Sequence, residues 1–227
     1  MNSLLDFSPF AKEAGAVLAA FWATIRLSAV TALLCTVLGT VLAAMRVGPV
    51  PVLRAAGTFY VNVFRNTPLT LVLALIGLGL SDTLGIKVSH DNGVNVYWLS
   101  VFGLSAYTAA FVCEVLRSGI NTVPLGQAEA ARAIGLTFTQ SLRLVILPQA
   151  FRSIIAPLGS VMIAMIKNST VALVVGYAEA AAEMKQMFND YGATLPIFIG
   201  FAVGFMVLTL PTGFLFGRLA KRLAVVR

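Results

Sequence analysis

The stretch AVLAAFWATIRLSAVTALLCTVLGTVLAAM fills residues 16–45 and holds a single charged side chain, Arg26. A helix needs only about 20 predominantly apolar residues to cross the roughly 30 Å of hydrocarbon in a bilayer. A stretch this long and this apolar therefore predicts a membrane-spanning helix.

Four more apolar stretches follow, at residues 58–80, 97–117, 150–175 and 195–217, and residues 58–67 lead into the first of them. Only 11% of the chain is charged, whereas soluble domains carry roughly a quarter charged residues. The sequence predicts an all-α, polytopic membrane protein with five transmembrane helices, organised as one domain over residues 16–217. A soluble protein is excluded because a chain so apolar could not cover its surface with polar groups.

The basic residues are unevenly distributed between the two sides that these spans define. Lys12, Lys87 and Lys185 fall on one side. Ten others fall on the opposite side: Arg46, Arg54, Arg117, Arg132, Arg143, Arg152, Arg218, Lys221, Arg222 and Arg227. Because basic residues in short loops mark the cytoplasm, residues 1–15 are predicted to be extracytoplasmic. The loop at 118–148 and the basic tail at 218–227 are predicted to be cytoplasmic, so the C-terminus is inside.

The same distribution accounts for the net charge of +7. We expect these residues to set the topology and to contact anionic lipid headgroups, with no role in nucleic-acid binding. Cys35 and Cys113 both lie in apolar stretches and predict neither a disulfide nor a metal site. The N-terminus has acidic residues and no basic leader, which favours an uncleaved first span in the cell membrane.

The cytoplasmic loop has the pattern of two short helices. Pro124 suits the first turn of a helix and Gly135 suits its end. Thr137 and Gln140 then form the pattern of a capping box. The second helix is predicted to run to Leu147, because Pro148 disfavours helical geometry in the residue before it.

The first of these helices is rich in alanine, at Ala128, Ala130, Ala131 and Ala133. Small side chains allow close approach to another protein, and Glu129 and Arg132 are spaced to fix the register of such a contact. On the residues alone two interpretations stay open. The helix docks into a partner, or it lies on lipid headgroups.

The loop resembles the EAA loop of permease subunits in bacterial ATP-binding cassette (ABC) importers. The matching residues are Gly126, Glu129, Ala130, Ala131, Gly135, Leu147 and Pro148, with Val145 where isoleucine is usual. FRNTP at 64–68, SGINT at 118–122 and KNST at 167–170 are similar to segments of polar amino-acid permeases. The chain is most similar to the glutamate permease subunits of actinobacteria, over nearly its whole length.

The resemblance implies the type I ABC importer permease fold and a complex of several proteins. Its members are two permease subunits, a cytoplasmic ATPase dimer and an extracellular substrate-binding protein. The EAA loop then couples to the ATPase, which binds ATP and Mg²⁺. This chain is expected to be a transport subunit with no cofactor of its own, because no Gly-Lys pair is present to form a Walker A loop.

Charges inside the spans are the candidates for a substrate path. Lys167, followed by Asn168, Ser169 and Thr170, either binds a substrate carboxylate, snorkels to the interface, or pairs with a partner subunit. Glu114 either pairs with Arg117 or contacts a substrate amine.

Two further groups complete the set of intramembrane candidates. Arg65 and Thr67, at the start of the second span, are placed in the substrate path, although Arg65 also suits a cytoplasmic-side anchor. Arg26 has no assigned role. The pairs Gly200/Gly204 and Gly213/Gly217 predict close helix packing.

Several functional readings remain at this point. A permease subunit for glutamate is favoured, with glutamine, aspartate, arginine or histidine as other substrates and with a heterodimeric permease pair. An ion-coupled secondary transporter would need inverted repeats and intramembrane carboxylates. This chain, with five predicted spans and Glu114 as its one intramembrane acid, fits that description poorly. A non-transporting scaffold leaves the EAA loop unexplained.

Overall fold

The computed structural model describes residues 6–192 and 195–223, and every regular element in those ranges is a helix. The predicted all-α class is confirmed. The outer parts of the predicted N-terminal segment and basic tail, residues 1–5 and 224–227, lie outside the described residues. The α-helices are α1 (Ser8–Lys12), α2 (Ala14–Val47), α3 (Pro51–Asn66), α4 (Leu69–Ala74), α5 (Asn92–Asn121), α6 (Leu125–Ala133), α7 (Phe138–Ser141), α8 (Leu147–Asn168), α9 (Ala180–Tyr191) and α10 (Leu195–Leu223), and a π-helical stretch follows α4 at Leu75–Thr83.

Four helices of the described chain are long and apolar enough to cross a membrane. They are α2, α5, α10 and a continuous helical stretch over Phe138–Val175 that contains α8. A fifth span is obtained if α3 and the helix that follows it are counted as one bent span.

The predicted span at 58–80 is not one straight helix. Its two parts, Pro51–Asn66 and Leu69–Thr83, meet at an angle of 105°. Pro68 disfavours helical geometry in the residue before it, and Thr67 is accordingly extended, with φ −105° and ψ 132°. The apolar composition of this stretch indicated a span but carried no information about its direction.

The prediction that the second loop helix ends at Leu147 is wrong. A π-helical turn at Leu142–Ile146 joins α7 directly to α8, and Pro148 lies in the first turn of α8. A proline there removes an N–H that needs no partner within the new helix. The loop and the fourth predicted span are therefore parts of one helical rod.

The core forms where α2 packs along α5. Leu27, Cys35, Val101 and Leu104 are buried in this core. Gly39 of α2 allows the approach, because a Cβ there would lie 2.6 Å from the side chain of Val112. This packing fixes the relative positions of the charged residues at the two ends of α2 and α5.

Phenylalanine side chains pack directly against three glycines. A Cβ on Gly200 or Gly204 of α10 would lie 2.1 Å from the ring of Phe10 or Phe21 respectively. Gly159 of α8 receives Phe216 in the same way. The predicted close approach of helices takes a different form at Gly200 and Gly204, which make room for aromatic side chains, and a Cβ on Gly217 would meet nothing within 4 Å among the described residues.

Candidate functional site

Helix α6 ends as the sequence predicts. Gly135 has φ +88°, a conformation that costs glycine little. The N–H of Leu136 donates to the Ala131 carbonyl at 3.1 Å, and the N–H of Gly135 donates to the Arg132 carbonyl at 3.0 Å. These two bonds form a Schellman motif and end the helix sharply.

One face of α6 packs on its own chain while the other is free. Ala131 is buried, whereas Glu129 and Ala130 are exposed. Large apolar side chains at both ends of the helix are also uncovered, with Leu125 81% and Ile134 79% exposed. Exposed apolar surface next to a short, well-ended helix is typical of an interaction site.

The remaining residues predicted to couple to the ATPase lie around α6. Gly126 is exposed in its first turn. The capping box of Thr137 and Gln140 is present at the start of α7. Leu147 and Pro148 are exposed where α8 begins, and the π turn that precedes them contacts α6.

A second polar group lies where α5 approaches the loop. The Glu114 carboxylate contacts three guanidinium groups, and we call these four residues the Glu114 cluster. Arg46 donates to Oε1, Arg117 lies 2.9 Å from Oε2, and Arg65 lies 3.7 Å from Oε2. The predicted pair of Glu114 and Arg117 is therefore present, within a larger cluster.

The charges of this cluster do not balance. One carboxylate faces three guanidinium groups, which leaves an excess of positive charge where α2, α3 and α5 meet. Arg46 is the most enclosed cation, with 12% of its side chain exposed, and Arg65 the least, with 46%. Arg65 also lies over the Phe111 ring at 5.8 Å.

The structure brings Arg65 and Glu114 of the predicted substrate path together and places the others elsewhere. Thr67 donates its hydroxyl to the Val63 carbonyl at 2.8 Å, which completes the end of α3. Among the described residues, no hydrogen bond or ion pair joins Lys167–Thr170 to the Glu114 cluster.

The KNST segment at 167–170 lies where α8 changes its helical form. Lys167 is exposed and Asn168 is the last residue of α8, after which a 3₁₀ helix covers Ser169–Val175. Ser169 donates to the Ile166 carbonyl at 2.7 Å and Thr170 to the Lys167 carbonyl at 2.8 Å. The backbone N–H of Ser169 also reaches the Ile166 and Lys167 carbonyls, so the end of α8 is satisfied by its own chain.

Sequence reasoning missed the buried role of Glu179. This side chain is fully buried between α9 and α2. It accepts hydrogen bonds from the Thr24 hydroxyl at 3.2 Å and from the Ala181 N–H at 2.8 Å. Burial raises the pKa of Glu179 to about 7, against the opposing effect of these donors. Its position just before an alanine-rich helix was the one available signal, because an acceptor there caps the first turn.

Arg46 was also missed, because it was counted only as a loop residue. Its partner Glu114 lies 68 positions along the chain, and no local spacing predicts such a contact. The helical packing of α2 on α5 is what brings the two together.

Comparisons with known proteins agree with this arrangement. Residues 35–225 match the family described as "Binding-protein-dependent transport system inner membrane component". The glutamate transport system permease protein GluC of Corynebacterium efficiens is 48% identical over 215 residues, which cover 92% of this chain and 94% of that protein. The protein of the same name from Corynebacterium glutamicum is 47% identical over the same share of each chain.

A solved structure has the same fold. The chain superimposes on a subunit from the crystal structure of an amino acid ABC transporter with histidines, with a TM-score of 0.86 and 28% identity. The match covers 96% of this chain and 98% of that one.

Proposed function

Because this chain belongs to the family of binding-protein-dependent transport system inner membrane components, we propose that it is a permease subunit of an ATP-driven importer for glutamate. The observation that carries the proposal is the exposed α6, which holds Glu129 and Ala130 free beside uncovered Leu125 and Ile134. A secondary transporter, which is driven by an ion gradient, would need no ATPase and therefore no docking surface of this kind.

Glutamate is supported by the identity of 47–48% to two glutamate permeases over 92% of the chain. The excess positive charge of the Glu114 cluster suits the passage of an anionic amino acid, since opposite charge lowers the cost of entering a low-dielectric path. Another polar amino acid, namely glutamine, aspartate, arginine or histidine, is the second candidate.

The partners that we propose follow from the family to which the chain belongs. A cytoplasmic ATPase dimer binds ATP and Mg²⁺, and one of its subunits receives α6 in a groove. A second, homologous permease completes the path, most simply as a heterodimer, and an extracellular substrate-binding protein delivers the substrate. The rod formed by α7, the π turn and α8 then transmits movement of the ATPase to the membrane-spanning part.

The orientation in the cell membrane is part of the proposal. The basic residues counted above favour a cytoplasmic position for α6 and for the described part of the C-terminal tail, and an external position for α9. Basic side chains on the cytoplasmic side, such as Arg143 and Arg218, then contact anionic lipid headgroups.

The proposed function is tested by uptake into vesicles that contain the assembled importer. ATP-dependent uptake of labelled glutamate, reduced little by glutamine, aspartate, arginine or histidine, is the expected result. Uptake driven by an ion gradient in the absence of ATP would identify a secondary transporter instead. Stronger uptake of one of the competitors would move the substrate assignment to that amino acid.

Docking of α6 is tested by Glu129→Lys. We expect the variant to insert normally and to lose most of its bound ATPase, because a reversed charge would be poorly accommodated among small side chains. The ATPase that co-purifies with the permease is the measurement. Gln127→Lys is the control, because it introduces the same lysine at another exposed position of α6 and leaves Glu129 in place. Wild-type yield of ATPase with Glu129→Lys would refute the docking role.

The substrate path is tested at Lys167. A charge-assisted hydrogen bond to a substrate carboxylate is worth about 1.5–3 kcal/mol, so Lys167→Met should weaken apparent affinity by roughly 10- to 150-fold. Assembly and basal ATP hydrolysis should be unchanged. Unaltered uptake would make Lys167 a snorkelling residue, and loss of assembly would make it a contact between subunits.

A further inference from the structure

Arg26 is the one charged residue of the stretch at 16–45 and has no part in the coupling loop, and its guanidinium lies beside the Tyr177 hydroxyl. Its side chain is exposed. No carboxylate oxygen within the described residues comes within 4.0 Å of its guanidinium nitrogens. A guanidinium held in the outer part of a span without an ion-pair partner is costly, so a ligand is a natural candidate to complete it.

Two clefts flank Arg26. One, of about 380 Å³, also contains Glu179, Glu183 and Gln186. The other, of about 500 Å³, is lined by Arg26, Asp91, Gly93, Val94, Tyr97, Trp98 and Tyr177. The first cleft places Glu183 beside Arg26, and its other carboxyl group, Glu179, is already hydrogen-bonded within the fold. The second, which we call the aromatic cleft, balances one arginine with one aspartate.

The walls of the aromatic cleft are held in place by packing. The rings of Tyr97 and Tyr177 lie 5.6 Å apart, and those of Tyr97 and Trp98 lie 5.4 Å apart. The Tyr177 hydroxyl donates to the Ala23 carbonyl at 3.4 Å, which ties this wall to α2 one turn before Arg26. The cleft is therefore a formed feature between α2, the start of α5 and the segment before α9.

The two charges of the cleft are available to a ligand. Asp91 caps α5 by accepting from the Val94 N–H through Oδ1 at 2.8 Å, and its other oxygen takes part in no hydrogen bond with the described residues. Arg26 and Asp91 face the same cleft without pairing with each other. A molecule with a carboxylate and an ammonium group close together could contact both.

We propose that the aromatic cleft binds the zwitterionic head group of a free α-amino acid, with Arg26 on the carboxylate and Asp91 on the ammonium group. This inference rests on the proposed function and assigns it a receiving site at the external mouth of the path. Tyr97, Trp98 and Tyr177 cover the carbon atoms of the bound molecule. Because all amino acids share the head group, this site accepts the substrate without choosing its side chain.

The experiment is protection from cysteine labelling in right-side-out vesicles that hold the assembled importer. Cys35 and Cys113 are fully buried, so a Val94→Cys variant supplies a reporter on the cleft wall. Leu84→Cys, in the exposed loop before the cleft, is the control position. Millimolar glutamate should slow the reaction of a membrane-impermeant maleimide with the first cysteine and leave the second unaffected.

Three substitutions in the Val94→Cys background assign the contacts. Arg26→Gln should raise the glutamate concentration needed for protection by about 10- to 150-fold, as expected for the loss of one charge-assisted hydrogen bond. Arg26→Lys should keep part of the effect. Asp91→Asn should also weaken protection while it preserves the helix cap, because asparagine caps as well as aspartate. Lys87→Gln, which removes an exposed charge of the neighbouring loop, should change nothing.

Ligand analogues test the same assignment from the other side. Glutarate, which lacks the ammonium group, should protect wild-type and Asp91→Asn proteins equally weakly. Absence of protection by glutamate in an importer that transports it would overturn the inference and leave the proposed function standing. Equal protection with and without the Arg26 charge would overturn it as well. So would a result in which Arg26→Gln weakens only the binding of the substrate-binding protein and leaves protection by glutamate unchanged.

Discussion

Glu114 and Glu179 are both enclosed carboxylates, and the protein satisfies them in opposite ways. Glu114 contacts three guanidinium groups from three helices. Glu179 is fully buried, and its hydrogen bonds come from the Thr24 hydroxyl and backbone N–H groups. A carboxylate among cations is stable as the anion but depends on its partners, whereas one held by neutral donors depends on pH.

The largest effect is expected from Glu114→Gln. The substitution preserves shape but leaves three guanidinium groups facing one another without a counter-charge. Removing one member of a buried ion pair costs about 3–5 kcal/mol, and the partial exposure of Arg65 and Arg117 places this case near the lower end. Chemical denaturation of the purified complex in detergent measures the loss.

The control for that prediction is a second substitution. Arg46→Met combined with Glu114→Gln should recover part of the lost stability, because it removes the most enclosed cation together with its partner. If the double variant is less stable than Glu114→Gln, Arg46 stabilises the fold by packing and the electrostatic account of the cluster is wrong.

A comparable effect is expected from pH at Glu179. Its pKa is raised from 4.5 to about 7, so the folded protein keeps this proton where the unfolded chain has lost it. Stability from this group is therefore greatest below about pH 4.5 and falls as the pH rises to about 7. At about 1.4 kcal/mol per pKa unit, the shift corresponds to about 3 kcal/mol.

Thermal unfolding of wild type and Glu179→Gln between pH 5 and pH 8 checks this difference. Glutamine mimics the protonated side chain, so the variant should gain stability relative to wild type as the pH rises. Parallel pH curves for the two proteins would show that Glu179 is ionised in the folded state.

The smallest effect is expected from Arg65→Gln. Its nitrogen lies 3.7 Å from Glu114 and its side chain is 46% exposed, and ion pairs in such settings contribute about 0–1 kcal/mol. The contact with Phe111 adds a similar amount at most. A loss of stability comparable to that of Glu114→Gln would mean that the contribution of each arginine to stability does not follow how deeply it is buried.

Local patterns in the sequence predicted local features well. Gly135, the capping box at Thr137 and the pair of Glu114 and Arg117 all involve residues within four positions of one another. The apolar stretches likewise predicted which segments form long helices. In each case the physical cause acts along a few turns of one helix, and the sequence contains all of it.

Contacts between distant segments could not be predicted in the same way. Arg46 meets Glu114 and Thr24 meets Glu179 only because α2 packs against α5 and α9, across 68 and 155 positions of chain. The bend at Thr67 was not predicted, because apolar composition indicates that a segment is in the membrane but does not indicate the direction of its helix axis. The end assigned at Leu147 was misjudged because a preceding π turn makes a first-turn proline compatible with continued helix.

The π turn at Leu142–Ile146 also sets an angular phase. Residues of an α-helix advance by about 100° each, and a π turn accommodates one extra residue within an otherwise continuous helix. Deleting a single residue from this turn would rotate α7, and α6 behind it, by about a quarter of a revolution relative to α8, and it would also bring the Pro148 ring against a carbonyl of the preceding turn. Glu129 would then point in a different direction around the axis of α8, although no side chain of α6 had changed.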